Sequence, residues 1–165
     1  MAVSKVWLGS GLVVALLIGL VSLASHQSKP QNVPNTVATG HGQPMLSTKQ
    51  ITVGKVNILA EVASSQTEQV SGLSGRDSLP EGTGMLFIFP EPGDLGFWMK
   101  DMLFSIDMLF ADTQGKILTI AANASPDSYP QTFHPGSPAK YVLELPAGFA
   151  AAHGIAVGQR IVIGQ

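Results

Sequence analysis

Read for its alternation of apolar and polar positions, the chain falls into three stretches. From Val6 to Ala24, 19 residues run without a charge. From Ser25 to Ser47 no periodicity survives, because Pro30, Pro34 and Pro44 sit among scattered Asn, Gln, Ser and Thr. From Thr48 onward, short runs of β character recur with turn residues between them. Gln50 to Val62 is broken at Gly54-Lys55, and Ile58, Ala60 and Val62 share a face opposite Leu59 and Glu61. Met85 to Phe89 is apolar throughout and ends at Pro90; Phe97 to Met99 is shorter. Phe104, Ile106, Met108 and Phe110 share one face, with Asp107 beside Leu109 on the other. A turn at Asp112–Gly115 leads into Lys116–Ala121, and Tyr141–Leu145 and Arg160–Ile163 complete the set. About seven short strands of this kind predict a mainly β fold, an antiparallel sandwich or barrel.

Two short helices are expected. Ser65 followed by Glu68 has capping-box spacing, with Val70 and Leu73 directed to the core. Ala147–His153 follows Pro146 and stops at Gly154. Asn123–Ala139 carries four prolines and reads as a long loop, a type of segment that is usually functional or disordered.

The apolar stretch sets the domain plan. At ~1.5 Å per residue, a helix over residues 6–24 approaches the ~30 Å thickness of a bilayer's hydrocarbon layer. Lys5 precedes it and Trp7 occupies an interfacial position. Residues 1–24 therefore read as a signal anchor or as a cleaved signal peptide ending at small residues. Residues 25–47 then form a flexible tether, and residues 48–165 the folded domain. Both readings put that domain outside the cytoplasm, either held at the membrane by a single pass or secreted. Gly11, Ala15 and Gly19 recur at the spacing that lets membrane helices approach closely.

Composition narrows the function classes. The 165 residues contain no cysteine, which excludes disulfides, thiolate metal sites, a cysteine nucleophile and a lipoprotein anchor. Net charge is −2, and residues 48–165 hold seven cations against eleven anions, so nucleic acid is not an expected partner. His26, His41, His134 and His153 have no partner at ligand spacing, and no metal or cofactor motif is present. A nucleophile elbow and a phosphate-cradling glycine loop are also missing.

Five collinear motifs add a family reading. They are Gly72-Leu73-Ser74-Gly75-Arg76-Asp77, Gly84-Met85-Leu86-Phe87-Ile88-Phe89, Phe97-Trp98-Met99-Lys100-Asp101-Met102, Ile106-Asp107-Met108-Leu109-Phe110, and Tyr141-Val142-Leu143-Glu144-Leu145 with the glycines after it. In this order and spacing the chain resembles the DUF192 family from about Thr52 to Ile163. The resemblance implies a jelly-roll-like sandwich and no established biochemical function. The chain departs from the family pattern at Ser74, where Met is frequent. It departs again at Lys100-Asp101-Met102, where Lys-Asn-Thr is frequent, and at Ser105-Ile106-Asp107, where Pro-Leu-Asp is.

The polar members of these motifs are the candidate site: Arg76, Trp98, Lys100, Asp101, Asp107 and Glu144. In one reading Arg76 and Lys100 grip an anion, Trp98 stacks on a carbohydrate-like ring and the carboxylates accept hydrogen bonds. In the competing reading Arg76 pairs with a buried Asp107, Trp98 fills the core and Glu144 lies on a solvated face. The favoured function is a membrane-anchored, extracytoplasmic module binding a small anionic or carbohydrate-like ligand. The alternatives are a hydrolase using Asp107 and Glu144, and an envelope protein acting through protein partners.

Overall fold

The computed structural model describes residues 45–165. The N-terminal apolar run and most of the tether lie outside the described residues, and among those described no helix is long and apolar enough to cross a membrane. The strands are β1 (Thr48–Val53), β2 (Val56–Ala63), β3 (Thr83–Gly93), β4 (Phe97–Trp98), β5 (Ile106–Ala111), β6 (Ile117–Ala124), β7 (Thr132–Phe133), β8 (Ala139–Pro146) and β9 (Ile161–Ile163). Two short helices, α1 (Gln66–Ser71) and α2 (Phe149–Ala152), interrupt them.

Seven strands form one curled sheet in the order β6-β5-β8-β3-β2-β1-β9, and β4 pairs with β7 as a separate ribbon. All neighbours in the large sheet are antiparallel except β2 and β3, which run parallel with Leu59 opposite Thr83 and Ala63 opposite Phe87. The crossover between them carries α1. The edges of the sheet meet at one end, where Lys116 bridges Arg160, and Ile117 and Ile161 donate backbone hydrogen bonds across the seam. The architecture is therefore a half-barrel from one curled sheet, not the two packed sheets of the sandwich that the family resemblance implied.

Strand parity divides the core in two. On the inner face, Ile58, Ala60, Leu86, Leu109, Leu143 and Leu145 pack together with Phe149 and Ala150 of α2. On the outer face, Met85, Phe87, Met108, Phe110 and Val142 form a second cluster with Leu73, Met99 and Met102. The β4–β7 ribbon and the segment around α1 cover that outer face. Each strand at the centre of the sheet is thus buried on both sides, and all six residues of β5 are buried. The apolar motifs of the sequence stack in register, since Met85 faces Glu144, which in turn faces Met108.

Several local expectations resolve. Ser65 caps α1, and Glu68 returns the bond to the Ser65 N–H at 2.8 Å, completing the capping box. Leu73 is buried as expected, but Val70 is exposed, because α1 ends at Ser71 and the turn at Gly72, not the helical period, sets the direction of Leu73. The proline-rich segment is not a bare loop. It holds a 3₁₀ turn at Pro126–Ser128 and strand β7.

Candidate functional site

A cleft opens on the outer face, between α1, the turn that follows it and strand β4. Its volume is about 270 Å³, close to the lower end of the ~300–1,000 Å³ usual for ligand pockets. Phe87, Phe89 and Phe97 form its aromatic walls, Trp98 and Val70 stand at its mouth, and Glu144 lines its depth.

Local sequence explains the walls. Alternation along β3 sends Phe87 and Phe89 outward, away from Leu86 and Ile88. Phe97 anchors the ribbon by meeting Phe87 edge-to-face at 4.9 Å and Phe110 at 5.7 Å. Gly72 ends α1 with φ +48, and a Cβ there would press on the Phe87 ring at 3.3 Å. Glycine therefore serves both the left-handed backbone and the width of the cleft.

Glu144 is the chemically unusual member. It is 5% exposed, and its Oε2 is buried with no hydrogen-bond partner. Burial pushes its carboxyl up to about 8, against a smaller opposing pull from the positive charge of Arg76. Arg76 itself is engaged elsewhere. Its guanidinium forks onto Glu61 of β2, Nη1 to Oε1 at 2.9 Å and Nη2 to Oε2 at 2.6 Å. Glu61 and Glu144 both face Met85 across the sheet, so one row of side chains sets this arrangement.

The other candidate residues separate from this centre. Asp107 is fully buried on the inner face, and its partners are backbone groups: the N–H of Asn123 at 2.8 Å, of Gly148 at 3.1 Å and of Ala150 at 2.9 Å. It supplies the cap that the N-cap residue Gly148 of α2 has no side chain to provide. The expected Arg76–Asp107 pair does not form, because the two residues lie on opposite sides of the sheet. Trp98 is 58% exposed and does not fill the core; it meets Tyr129 edge-to-face at 6.3 Å. Glu144 is buried, not solvated, because the ribbon and α1 segment cover its face.

Lys100 and Asp101 form an exposed contact at 3.5 Å and do not line the cleft. Their main function is in the backbone. The Lys100 carbonyl accepts from Ser74 Oγ and the Asp101 carbonyl from Gly75 N–H, pinning the turn after α1. Asp101 has φ +57, a left-handed conformation that Asn and Asp tolerate best among residues with side chains. That accounts for Asp here and Asn in the family pattern without a ligand contact.

Of the six candidates, Trp98 and Glu144 converge on the cleft. Asp107 and Glu144 point to opposite faces, which removes the two-carboxylate hydrolase. Gln66, Gln69, Ser71 and the phenylalanines line the cleft without having been singled out. Glu61 was legible only as an outward residue, since its pairing with Arg76 depends on the parallel β2–β3 register. Among the described residues no group of three or more His, Asp or Glu is placed to hold a metal ion.

Comparisons with known proteins place the family and the fold. The model of the family DUF192, described as an uncharacterized ancient conserved region, matches residues 49–163. A crystal structure from Sinorhizobium meliloti 1021, described as a candidate transcription regulator, is 30% identical with a TM-score of 0.70. The match covers 74% of this chain and 98% of that one. A protein of unknown function from Novosphingobium aromaticivorans DSM 12444 is 29% identical with a TM-score of 0.68, covering 74% and 89%. No curated protein matches the chain.

Proposed function

The chain belongs to the DUF192 family, and from that premise we propose that it is a binding module for a small organic molecule, held in the cleft between α1 and β4. The observation that carries this reading is the buried carboxyl of Glu144, which lines an aromatic-walled cleft and whose Oε2 has no hydrogen-bond partner. A buried polar atom without a partner costs about 1–3 kcal/mol, and a ligand that meets it recovers that energy on binding. The anionic ligand loses its support, because Arg76 is forked onto Glu61 and neither Arg76 nor Lys100 lines the cleft. A ring-bearing molecule with one polar end fits the phenylalanine walls and Trp98 at the mouth.

In the same reading residues 6–24 anchor the module in a membrane, and residues 25–47 let it range outside the cytoplasm. The uncharged run and its lack of acids support this placement. Intact mass and carbonate extraction test it. A membrane-retained chain of full mass is expected, and a soluble chain lacking residues 1–24 overturns the anchor.

Trp98 provides the readout for the cleft. With Trp7→Phe in the full chain it is the sole indole. Its emission should shift with compounds from a small-molecule library, and calorimetry, which needs no indole, should show those compounds binding Trp98→Ala about tenfold more weakly, with an unchanged melting curve. Equal binding to Trp98→Ala, or no binder at all, overturns the reading.

A further inference from the structure

We propose that the ligand of this cleft is an organic cation, an ammonium group seated against Glu144 and faced by the aromatic walls. The inference rests on the cleft being a ligand site, as argued above, and specifies what that site recognises.

The first argument is charge. Glu144 is the sole ionisable side chain lining the cleft. The groups around it are also fixed. Arg76 approaches from the turn after α1, and its charge acts on Glu144. Glu61 of β2 stands behind Arg76 and takes both arms of the guanidinium. Met85 and Met108 are its neighbours on β3 and β5 and carry no charge. Glu68 on α1 is turned to the N-terminal cap. On the ribbon side, His134 lies behind Gly96 and contacts Asp94 at 3.0 Å. One guanidinium therefore serves two carboxylates and is already committed to the first. A ligand cation at Glu144 completes an alternating array of Glu61, Arg76, Glu144 and ammonium.

The second argument is the wall chemistry. Phe87, Phe89, Phe97 and Trp98 line the same space. Aromatic rings attract cations through their quadrupoles, most strongly when the cation is desolvated, and Trp is the best of them. A cleft combining several rings with one buried carboxylate favours an ammonium over a neutral molecule of the same shape.

The third argument is protonic. With its carboxyl raised to about 8 by burial, Glu144 is largely protonated at neutral pH in the empty cleft. An arriving ammonium stabilises the carboxylate, so the O–H proton leaves to water as the ion pair forms. Affinity for a cation then rises with pH and levels off once Glu144 is ionised. A neutral ligand that accepts a hydrogen bond from the protonated carboxyl shows the reverse trend.

The test compares cations with neutral isosteres on the full-length protein carrying Trp7→Phe. The probes are tetramethylammonium, choline and phenethylammonium against neopentane-type and phenyl alcohols, including 3,3-dimethylbutan-1-ol as the neutral partner of choline. Titrations are followed by Trp98 emission and by calorimetry in two buffers of different ionisation enthalpy. At least one cation is expected to bind about tenfold or more tightly than its isostere. Its affinity should rise on the order of ten- to fiftyfold from pH 6 to pH 8, with proton release below pH 8. Glu144→Gln should remove most of the cation's advantage and its pH dependence, with the isostere itself little affected. If neutral isosteres bind as well as the cations, or more tightly as pH falls, the cation assignment is wrong while the cleft remains a ligand site. If none of the probes binds at millimolar concentration, the cation assignment is rejected, and the library screen above decides separately on the cleft.

Discussion

Glu144→Gln changes one atom type at the bottom of the cleft, and its effect on folding has a sign and size fixed by the surroundings of that side chain. An unfolded chain titrates Glu144 near 4.5, whereas burial raises the folded value to about 8. Since the folded value is the higher, stability from this group is complete below about pH 4.5 and is lost as pH rises through about 8. Each pH unit crossed in that window costs ~1.4 kcal/mol, so the loss is about 3 kcal/mol by pH 7. Gln stays uncharged and escapes this loss. It also brings two N–H donors to a site where Oε2 has no partner, a penalty that does not vary with pH. The difference between pH values is therefore the diagnostic quantity. Urea unfolding of the wild type and Glu144→Gln, followed by circular dichroism at pH 5 and pH 7.5, should show the variant gaining about 3 kcal/mol on the wild type between the two. In thermal melts that corresponds to a relative rise of about 10 °C. Every other titrating group is common to both proteins and cancels. A difference that stays constant within ~0.5 kcal/mol would refute the reasoning. It would mean that Arg76 holds Glu144 ionised in the folded protein, with Glu61 no longer its main partner.

Two further substitutions probe the support of the site. Asp107→Ala removes the acceptor for three buried or half-buried backbone N–H groups and should cost about 3–5 kcal/mol in urea unfolding; a cost under ~1 kcal/mol would show that α2 is capped by something else. Asp101→Ala should cost about 1 kcal/mol because φ is +57, whereas Asp101→Gly should be near neutral, and equal costs would mean that the carboxylate, not the backbone, matters at that position.

The parity of the strands was legible in the sequence, and the covering of their faces was not. Alternation correctly put Phe104, Ile106, Met108 and Phe110 apart from Asp107 and Leu109, and Glu61 apart from Ile58 and Ala60. It also separated Glu144 from Tyr141 and Leu143. What alternation cannot report is whether a polar residue on the second face meets water or another layer. On alternation alone Glu144 therefore reads as solvated. The layer over it comes from β4, β7 and α1, two of them strands of two residues, too short to leave a period. The Arg76–Asp107 pairing failed on the same point, since charge complementarity in one dimension ignores which side of the sheet each residue occupies.

The parallel β2–β3 register supplies the missing term. It sets Glu61 against Met85, and Met85 also faces Glu144, so the two acids share a row that no local pattern links. Folding brings a second carboxylate to a guanidinium that can fully satisfy one. Glu61 is partly exposed and forks with Arg76, so the shortage of positive charge falls on the buried acid. A residue left short of a partner in a fold whose other buried carboxylate, Asp107, has three donors is not explained by packing alone. The same sheet that satisfies one acid on its inner face leaves the other unsatisfied on its outer face, beside the aromatic-walled cleft.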